Sequence, residues 1–427
     1  MGGLNISIND VRRLGGNPGI ESRGDLLGCA EKALADPVAA TVVSEVFLGA
    51  PTAQHVSVDF HDRVGVRFQT ENGRDVNAMR AQQFIGFLGS LSVDGDVEKR
   101  TSAVLDLENT WFAKKPRVVV QGGHRISAEE YDFLRHVFWE FGRRVKQATV
   151  ITGCGDGAME APFAGLELAI RDRMFKASGW YFNVGLTELG ILAKERPNRY
   201  VERLVVYPNI EQRMEAFVRL ATLLVFVPGG VGTAEEIMQL IEIVLYGGNR
   251  KHSPEAHLIE RADGIWMAAL QDLFASCFPD MINSDKSPFK MFPGIDPAYY
   301  SSIMKGSSRR FGHTAWNENI DIPKNISSSI STKDPGEFLS ALEDMRFSRS
   351  EYSDFQLAGA LRIFFSAMVD LTVRNPQIPQ QWKEQGQKVR LHGQQKVISA
   401  LMRFTDVLYS QNRLSHGCAT REEMFAA

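Results

Sequence analysis

The chain contains 427 residues, 44% of them hydrophobic, which is enough to bury more than one core because a domain usually needs ~100 to 200 residues. The formal net charge is −3, with acidic and basic residues interspersed, and this excludes the strongly basic surface typical of proteins that bind nucleic acid or anionic membranes. The four cysteines lie far apart without metal-ligand spacing, so we expect no disulfide framework, no metal site and a reducing, cytoplasmic environment.

The N-terminal region, residues 1–113, is predicted to be a mixed α+β region. Residues 27–35 have a helical pattern, and the alternating run HVSVDFHDRVGVRF predicts a strand or a hairpin. The first residues lack the apolar core of a secretory signal, and no apolar run in the chain approaches the ~18 residues that span a bilayer. We therefore expect no membrane partner, and this region offers no catalytic motif.

The central region, residues 114–278, alternates short β-branched runs with amphipathic helical patterns. Apolar strands that alternate with helices are typical of a parallel sheet with helices on both faces, because such strands are buried on each side. We therefore predict a Rossmann-like α/β domain. Its strands lie in RVVVQGG, TVITGCGDG, YFNVGL, RLVVYPN and TLLVFVPGG, and its helices over residues 128–147, from residue 158, over IEQRMEAFVRLA and over GTAEEIMQLIEIVLYG.

The C-terminal region, residues 279–427, is predicted to be a linker followed by mostly helical structure. Serine, lysine and proline are frequent up to about residue 333, which is typical of a connecting segment. Helices are predicted over residues 335–345, 352–373 and 385–410.

Three glycine-bearing loops each follow a predicted strand and precede a predicted helix. Parallel sheets bind ligands at the carboxyl ends of their strands, because the loops there lead into helix N-termini with unpaired N–H groups. The candidate substrate-binding residues are Gly122, Gly123 and His124 in the first loop, Gly153, Gly155, Gly157, Met159 and Glu160 in the second, and Gly229, Gly230, Gly232 and Thr233 in the third.

The third loop, PGGVGTAEE, predicts a phosphate site. Its glycines lack the Cβ atoms that would keep backbone amides away from a phosphate, and a helix follows at once. The loop has no P-loop lysine, which argues against ATP hydrolysis. The alternative is a tight turn that only packs a strand against a helix.

The second loop can be fitted to a dinucleotide fingerprint through Gly153, Gly155 and Ala158. That fingerprint also needs an acidic residue at the end of the next strand, ~20 residues on, and the run YFNVGL supplies none before Glu188. A dinucleotide is therefore disfavoured. In the same loop Met159 would pack against a base and Glu160 would bind a ribose or a polar edge of the base, although a methionine alone is more often a core residue.

Glu235 and Glu236 are candidate catalytic carboxylates. They are expected in the first turn of the helix after the third loop, beside the phosphate site, where the ribose of a bound nucleotide would lie. The alternative is structural, because Thr233 and Glu236 fit a capping box and acidic residues suit the first turn of a helix.

Arg213 is a candidate catalytic cation. It is expected one turn into a helix that Asn209 and Gln212 cap, at the carboxyl end of a strand. Its guanidinium would pair with a phosphate or orient a base through a bidentate contact. The alternative is an exposed helix arginine, since charged residues are mostly exposed.

Taken together, TGCGDGAMEAP, NIEQRMEAF and VFVPGGVGTAEE resemble the Lonely-guy phosphoribohydrolases, long mislabelled as lysine decarboxylases, whose hallmark is P-G-G-x-G-T-x-x-E. The runs VVVQGGHRISAEEY, ITGCGDGAMEAP and WNENIDIP are more closely similar to the long bacterial pyrimidine/purine nucleotide 5′-monophosphate nucleosidases of that kind. The resemblance covers roughly residues 115–410 and is strongest up to about residue 250.

This resemblance implies an enzyme that hydrolyses the N-glycosidic bond of a nucleoside 5′-monophosphate to a free base and ribose 5-phosphate. It implies that Arg213 and Glu236 are catalytic and that the glycine loop at residues 229–233 binds the phosphate. Glu235 would hold the ribose hydroxyls or assist the water. It further implies no cofactor, a homo-oligomer that is a dimer or tetramer, and a regulatory nucleotide as an additional partner.

Two other classes of function stay open. A decarboxylase would need pyridoxal phosphate and a Schiff-base lysine, and none of the three glycine loops contains a lysine. A non-catalytic nucleotide-sensing or nucleic-acid-binding Rossmann protein would use the same loops only to hold a ligand, because a fold does not fix a function. A sensor would bind nucleotide without releasing its base.

Overall fold

The computed structural model of the chain describes residues 56–61, 65–70, 81–93, 95–108, 110–173, 180–192, 196–282, 289–308, 315–323, 330, 332–414 and 424–425. The helix predicted over residues 27–35 lies outside these ranges. The chain divides into two compact units, each formed from several segments. Unit 1 comprises Met1–Val120, Leu134–Leu223 and Ser301–Asn317, and unit 2 comprises Gln121–Phe133, Leu224–Tyr300 and Glu318–Ala427. The division into regions 1–113, 114–278 and 279–427 stays a prediction.

Strands and helices are numbered here in chain order. The strands are β1 (Val56–His61), β2 (Gly65–Thr70), β3 (Arg117–Gln121), β4 (Gln147–Thr152), β5 (Trp180–Glu188), β6 (Arg203–Tyr207), β7 (Leu223–Phe226), β8 (Glu255–Glu260), β9 (Phe289–Pro293), β10 (Arg346–Phe347) and β11 (His392–Gly393). The helices are α1 (Ala81–Ser92), α2 (Val97–Ser102), α3 (Thr110–Ala113), α4 (Ala128–Arg144), α5 (Ala161–Arg173), α6 (Leu189–Leu192), α7 (Ile210–Leu220), α8 (Val231–Leu245), α9 (Trp266–Cys277), α10 (Pro279–Ile282), α11 (Pro297–Ser307), α12 (Pro335–Glu343), α13 (Asp354–Val369), α14 (Gln377–Glu384) and α15 (Gln395–Ser410).

The N-terminal alternating run forms a hairpin. Strands β1 and β2 pair antiparallel, from Val56 opposite Thr70 to His61 opposite Gly65. The prediction of a strand or hairpin there is confirmed. Alternation with a period of two residues is what places successive side chains on opposite faces of such a pair.

Unit 1 is built on parallel strands in the order β6-β5-β4-β3. All five residues of β3 and of β6 are buried, as expected for strands covered on both faces. Helix α5 connects β4 to β5, so the chain returns to start the next parallel strand in the same direction. The predicted Rossmann-like α/β class is confirmed.

Helix α1 covers strand β6 in unit 1. A Cβ atom at Gly86 would collide with the backbone of Leu204, so the glycine permits the close approach of helix and strand. The Ser90 hydroxyl accepts a hydrogen bond from the Val206 amide at 2.9 Å and donates to the Gly86 carbonyl at 2.8 Å. The helix thereby satisfies an N–H group of this strand, which a sheet edge would otherwise leave unpaired.

Unit 2 contains the strand order β7-β8-β9, with β8 and β9 parallel from Ala256 opposite Phe289. Neither β8 nor β9 was predicted from the sequence. Helix α8 packs along α13, and α9 packs along α15. A buried ion pair joins the first two helices, with Arg362 Nε 2.9 Å from a Glu242 carboxylate oxygen.

The C-terminal helices differ in part from the prediction. Helices α12 and α13 lie within the ranges predicted over residues 335–345 and 352–373, and a π-helical turn follows α13 over Asp370–Arg374. A single helix over residues 385–410 is wrong, because α15 begins only at Gln395. The preceding residues instead contribute β11, which pairs parallel with β10.

Within the described residues, one stretch, Asp354–Thr372, is long and apolar enough to cross a membrane by composition, with a hydropathy of 1.2 over its best window. The prediction that no run approaches this length therefore needs correction. Of that window, 78% is buried inside the protein, which is typical of the core helix of a soluble protein.

Candidate functional site

The second glycine loop follows β4 in an unusual backbone conformation. Cys154 has φ of 64° and Gly157 has φ of 66°, and the left-handed region is uncommon for a residue with a Cβ atom. Asn198 holds the loop there, because its side-chain amide donates to the carbonyls of Cys154 and Gly155 at 3.0 and 2.8 Å. Sequence reasoning missed Asn198, whose only signal was a polar residue in a loop.

Arg213 is buried, with only 5% of its surface exposed. Its Nε atom donates to the Leu186 carbonyl at 3.0 Å, and its guanidinium carbon lies 5.2 Å from the centre of the Phe217 ring. The interpretation as an exposed helix arginine is therefore wrong. Asn209 caps α7 as predicted, but it does so by accepting from the Gln212 backbone N–H, so the Gln212 side chain is not the cap.

The arginine lies against the second loop. A Cβ atom at Gly153 would overlap the Arg213 guanidinium and come within 2.6 Å of the Met159 sulfur. Gly155 is buried, whereas Met159 and Glu160 are half-buried. Unit 1 thus brings Arg213, Gly153 and Met159 together, and their role in a site stays a prediction.

The first and third glycine loops contact each other in unit 2. The Gly123 amide donates a hydrogen bond to the Pro228 carbonyl at 3.4 Å. A Cβ atom at Gly123 would lie 2.9 Å from the Gly229 Cα. Gly122 is half-buried and His124 is exposed. Only glycine lets these two backbones approach so closely, and a Cβ at Gly229 would in turn overlap Thr233.

Helix α8 begins three residues earlier than a capping box of Thr233 and Glu236 would require. Its N-cap is Gly230 and its first residue is Val231, so Thr233 lies inside the first turn. The predicted capping box of Thr233 and Glu236 is wrong, and both glutamates lie in the second turn instead of the first. Glu235 is 6% exposed and Glu236 is half-buried.

Gly232 differs from the other glycines of the third loop. Apart from its chain neighbours and its own helix backbone, no atom of the described residues lies within 4 Å of the position that a Cβ at Gly232 would take. Packing inside the protein therefore does not require glycine at this position. Open space next to the first turn of α8 is compatible with a bound ligand.

Trp266 and Glu260 hold the third loop from beneath. The Trp266 indole N–H donates to the Gly229 carbonyl at 3.0 Å, and the Glu260 carboxylate accepts from the backbone amides of Trp266 and Met267 at 3.0 and 2.9 Å. Burial raises the pKa of Glu260, and these two amide hydrogen bonds oppose the rise. Neither residue was predicted from the sequence.

The C-terminal segment after α15 also reaches this region of unit 2. The Arg413 carbonyl oxygen occupies the space that a Cβ at Gly230 would need, and the Arg413 guanidinium pairs with Glu130. Arg125, which directly follows His124, donates to the Leu414 carbonyl. This contact was not predicted, because nothing in the sequence relates residue 413 to the glycine loops.

The part of the chain that the structure describes contains no group of three or more His, Cys, Asp or Glu residues placed to hold a metal ion.

Comparison with known proteins matches one family model and three curated relatives. Residues 168–271 match the model of a family described as "Possible lysine decarboxylase". Curated relatives from Escherichia coli strain K12, E. coli O6:H1 and E. coli O157:H7 are each called pyrimidine/purine nucleotide 5′-monophosphate nucleosidase. Each is 43% identical to the chain over 133 residues, which is 31% of this chain and 28% of the relative. The match thus spans less than a third of the length of these relatives.

Proposed function

We propose that this chain is a nucleotide 5′-monophosphate nucleosidase, because residues 168–271 match the family described as "Possible lysine decarboxylase" and the similar relatives carry that name. It hydrolyses the N-glycosidic bond of purine or pyrimidine nucleoside monophosphates and releases a free base and ribose 5-phosphate. The observation that carries this proposal is the third glycine loop. It contacts the first glycine loop through Gly229 and Gly123 and leads at once into α8.

The substrate phosphate binds at the start of α8. The N-cap Gly230 has no side chain, so it leaves the first-turn N–H groups and the positive end of the helix dipole to a ligand. Gly229, Gly232 and Thr233 complete this loop, and Gly122, Gly123 and His124 adjoin it. The phosphate lies away from the reacting bond, and the binding energy that it contributes holds the substrate in position for the reaction. Nucleosides without a phosphate should therefore react poorly.

Glu236 stabilises the reacting sugar. Cleavage of a glycosidic bond passes through an oxocarbenium-like transition state, and a carboxylate near the anomeric carbon stabilises its positive charge. A water oxygen then bonds to that carbon while the C–N bond breaks, and one proton of the water is lost as the base gains one. Glu235 holds the ribose hydroxyls or assists the water.

Arg213 acts on the leaving base. Its burial against Gly153 and Met159 fixes the guanidinium in one orientation, which supports a role in binding over one as a surface charge. The remaining residues of the second loop, Gly155, Gly157 and Glu160, bind the nucleoside part of the substrate.

Lysine decarboxylation is disfavoured despite the wording of the family description. That reaction uses pyridoxal phosphate held as a Schiff base by a lysine, and none of the three glycine loops contains a lysine. No cofactor is proposed.

The test is incubation of the purified chain with the common nucleoside monophosphates and the matching nucleosides, followed by chromatography for free base and ribose 5-phosphate. We expect base release from monophosphates, and a loss of about 10²-fold or more in Glu236→Ala. Glu351→Ala, which removes an exposed glutamate far along the chain, is the matched control and should keep full activity. Binding of nucleotide without any base release would replace the proposal with a sensing function.

We also propose that the protein works in the cytoplasm as a homo-oligomer, a dimer or tetramer, and that a regulatory nucleotide binds it. The oligomer and the regulatory nucleotide are proposed from the resemblance, and the cytoplasmic location from the spacing of the cysteines. Light scattering coupled to size-exclusion chromatography tests the oligomer, because a mass equal to one 47.6 kDa chain would contradict it.

A further inference from the structure

A cavity of about 570 Å³ lies in unit 2, apart from the residues assigned above to the substrate. Its walls come from the loop after β3, the loop after β8 and the segment that follows α15. The carboxyl ends of parallel strands are where α/β sheets bind ligands, and a volume of this size suits a small metabolite.

The cavity carries an excess of positive charge. Three arginines line it, and two of them have carboxylate partners in the same wall, Arg413 with Glu130 and Arg261 with Asp263, the latter at 3.0 Å. The half-buried Arg125 donates to the Leu414 backbone carbonyl, and among the described residues no carboxylate pairs with it. A guanidinium in this position is suited to a phosphate, which it binds through two parallel hydrogen bonds.

The rest of the wall is suited to hydroxyl groups. Ser127, Asp263, Gln411 and Asn412 offer short polar side chains, and none of the described lining residues is aromatic. A nucleobase would need a ring or a broad apolar face to stack against, so the wall favours a ligand with hydroxyl groups over one with a base. Ile126 supplies the only apolar side chain among these lining residues.

We propose that this cavity is a binding site for a small sugar phosphate, with the phosphate on Arg125 and the sugar hydroxyls on the polar wall. The site touches the glycine loops at two points, since Arg125 follows His124 and the Arg413 carbonyl lies against Gly230. A ligand in the cavity therefore restricts the motion of the segments at Arg125 and Arg413, which both support the third loop. The proposal does not depend on the nucleosidase activity.

Hydrogen exchange of the full chain, read by mass spectrometry, tests the site with ribose 5-phosphate as the probe. We expect slower exchange in peptides that cover residues 125–131 and 411–413, with ribose and inorganic phosphate each needing higher concentrations. Arg125→Gln should raise the Kd for this protection by about tenfold or more, because it removes a charge-assisted contact. Arg143→Gln, at the other end of α4 from the cavity, should leave the Kd unchanged.

A second variant changes the sign of the effect. Asp263→Asn removes the carboxylate that pairs with Arg261 and should lower the Kd, which a merely unfolded variant could not do. Absence of protection in these peptides of the wild-type chain, or equal protection in wild type and Arg125→Gln, overturns the proposal. Protection only over residues 228–240 would place the probe in the phosphate loop and would also overturn the proposal. Failure of the chain to release base from nucleotides would contradict only the proposed function.

Discussion

Replacing Asn198 with alanine should destabilise unit 1 and release the second glycine loop. The side chain is 5% exposed and makes three hydrogen bonds, donating to the carbonyls of Cys154 and Gly155 and accepting from the Tyr200 amide at 3.1 Å. The backbone amide of residue 198 still donates to the Cys154 carbonyl after the substitution. The Gly155 carbonyl, however, loses the partner that Asn198 provides.

The expected cost follows from the number of bonds. A neutral hydrogen bond contributes a net ~1 kcal/mol to folding, so three of them correspond to a loss of about 3 kcal/mol in the free energy of unfolding. Asn183→Ala is the matched control, because the Asn183 side chain donates one hydrogen bond, to the Tyr200 carbonyl at 3.1 Å, and should cost about 1 kcal/mol.

Urea denaturation of both variants measures the difference. If Asn198 also holds Cys154 at positive φ, its loss should raise the KM for a nucleoside monophosphate, since the loop relaxes toward ordinary backbone angles. Equal losses of stability in the two variants would refute the reasoning, because they would show that the bonds to the loop carbonyls contribute nothing beyond an ordinary side-chain contact.

Three further predictions concern single positions. Gly153→Ala should keep the fold but reduce kcat at least about tenfold, because its Cβ displaces Arg213; unchanged kinetics would contradict this. Burial raises the pKa of Glu242 to about 7 although the Arg362 guanidinium opposes the rise, so the two groups form a full ion pair only above that pH. The folded chain keeps a proton that the unfolded chain releases near pH 4.5, and stability should fall as the pH rises from 4.5 to 7. Glu242→Gln should flatten that slope in denaturation curves taken at several pH values. Trp266→Phe should cost about 1 to 3 kcal/mol in denaturation, because the Gly229 carbonyl loses its indole donor.

The strands of the central region were predictable wherever the chain reads as a continuous apolar run. RVVVQ, RLVVY and LLVF are such runs, and each is a fully buried strand. Strand β8, EAHLIE, escaped prediction because its charged and histidine residues interrupt the apolar pattern. Its histidine is nevertheless buried, since the Tyr300 hydroxyl and the Glu255 carboxylate bond both ring nitrogens at 3.0 and 3.2 Å. Tertiary partners of this kind are invisible in local sequence.

The candidate site was predictable in its glycine loops but not in the residues that support them. Glycine at the end of a strand and before a helix marks a place where another group can come close to the backbone, and Gly123 and Gly229 approach each other in this way. Their role in binding a substrate stays a prediction. The start of α8 was predicted wrongly, because Thr233 and Glu236 have the spacing of a capping box while Gly230 takes the N-cap. The left-handed Cys154 could not be foreseen, because Asn198 imposes it from 44 residues away.

Trp266 donates two hydrogen bonds, from its backbone amide to the Glu260 carboxylate and from its indole to the Gly229 carbonyl, and they make the third loop sensitive to residues that never meet a ligand. The Glu260 carboxylate orients the backbone of Trp266 at the start of α9, and the indole of Trp266 reaches the Gly229 carbonyl. Gly264 has to be glycine in this arrangement, because any side chain there would overlap the Glu260 carboxylate. Substitutions at Glu260 and Gly229 should therefore show non-additive effects in a double-mutant cycle, although 31 residues separate them. An engineer who wishes to retune the loop without touching it would begin at the end of β8.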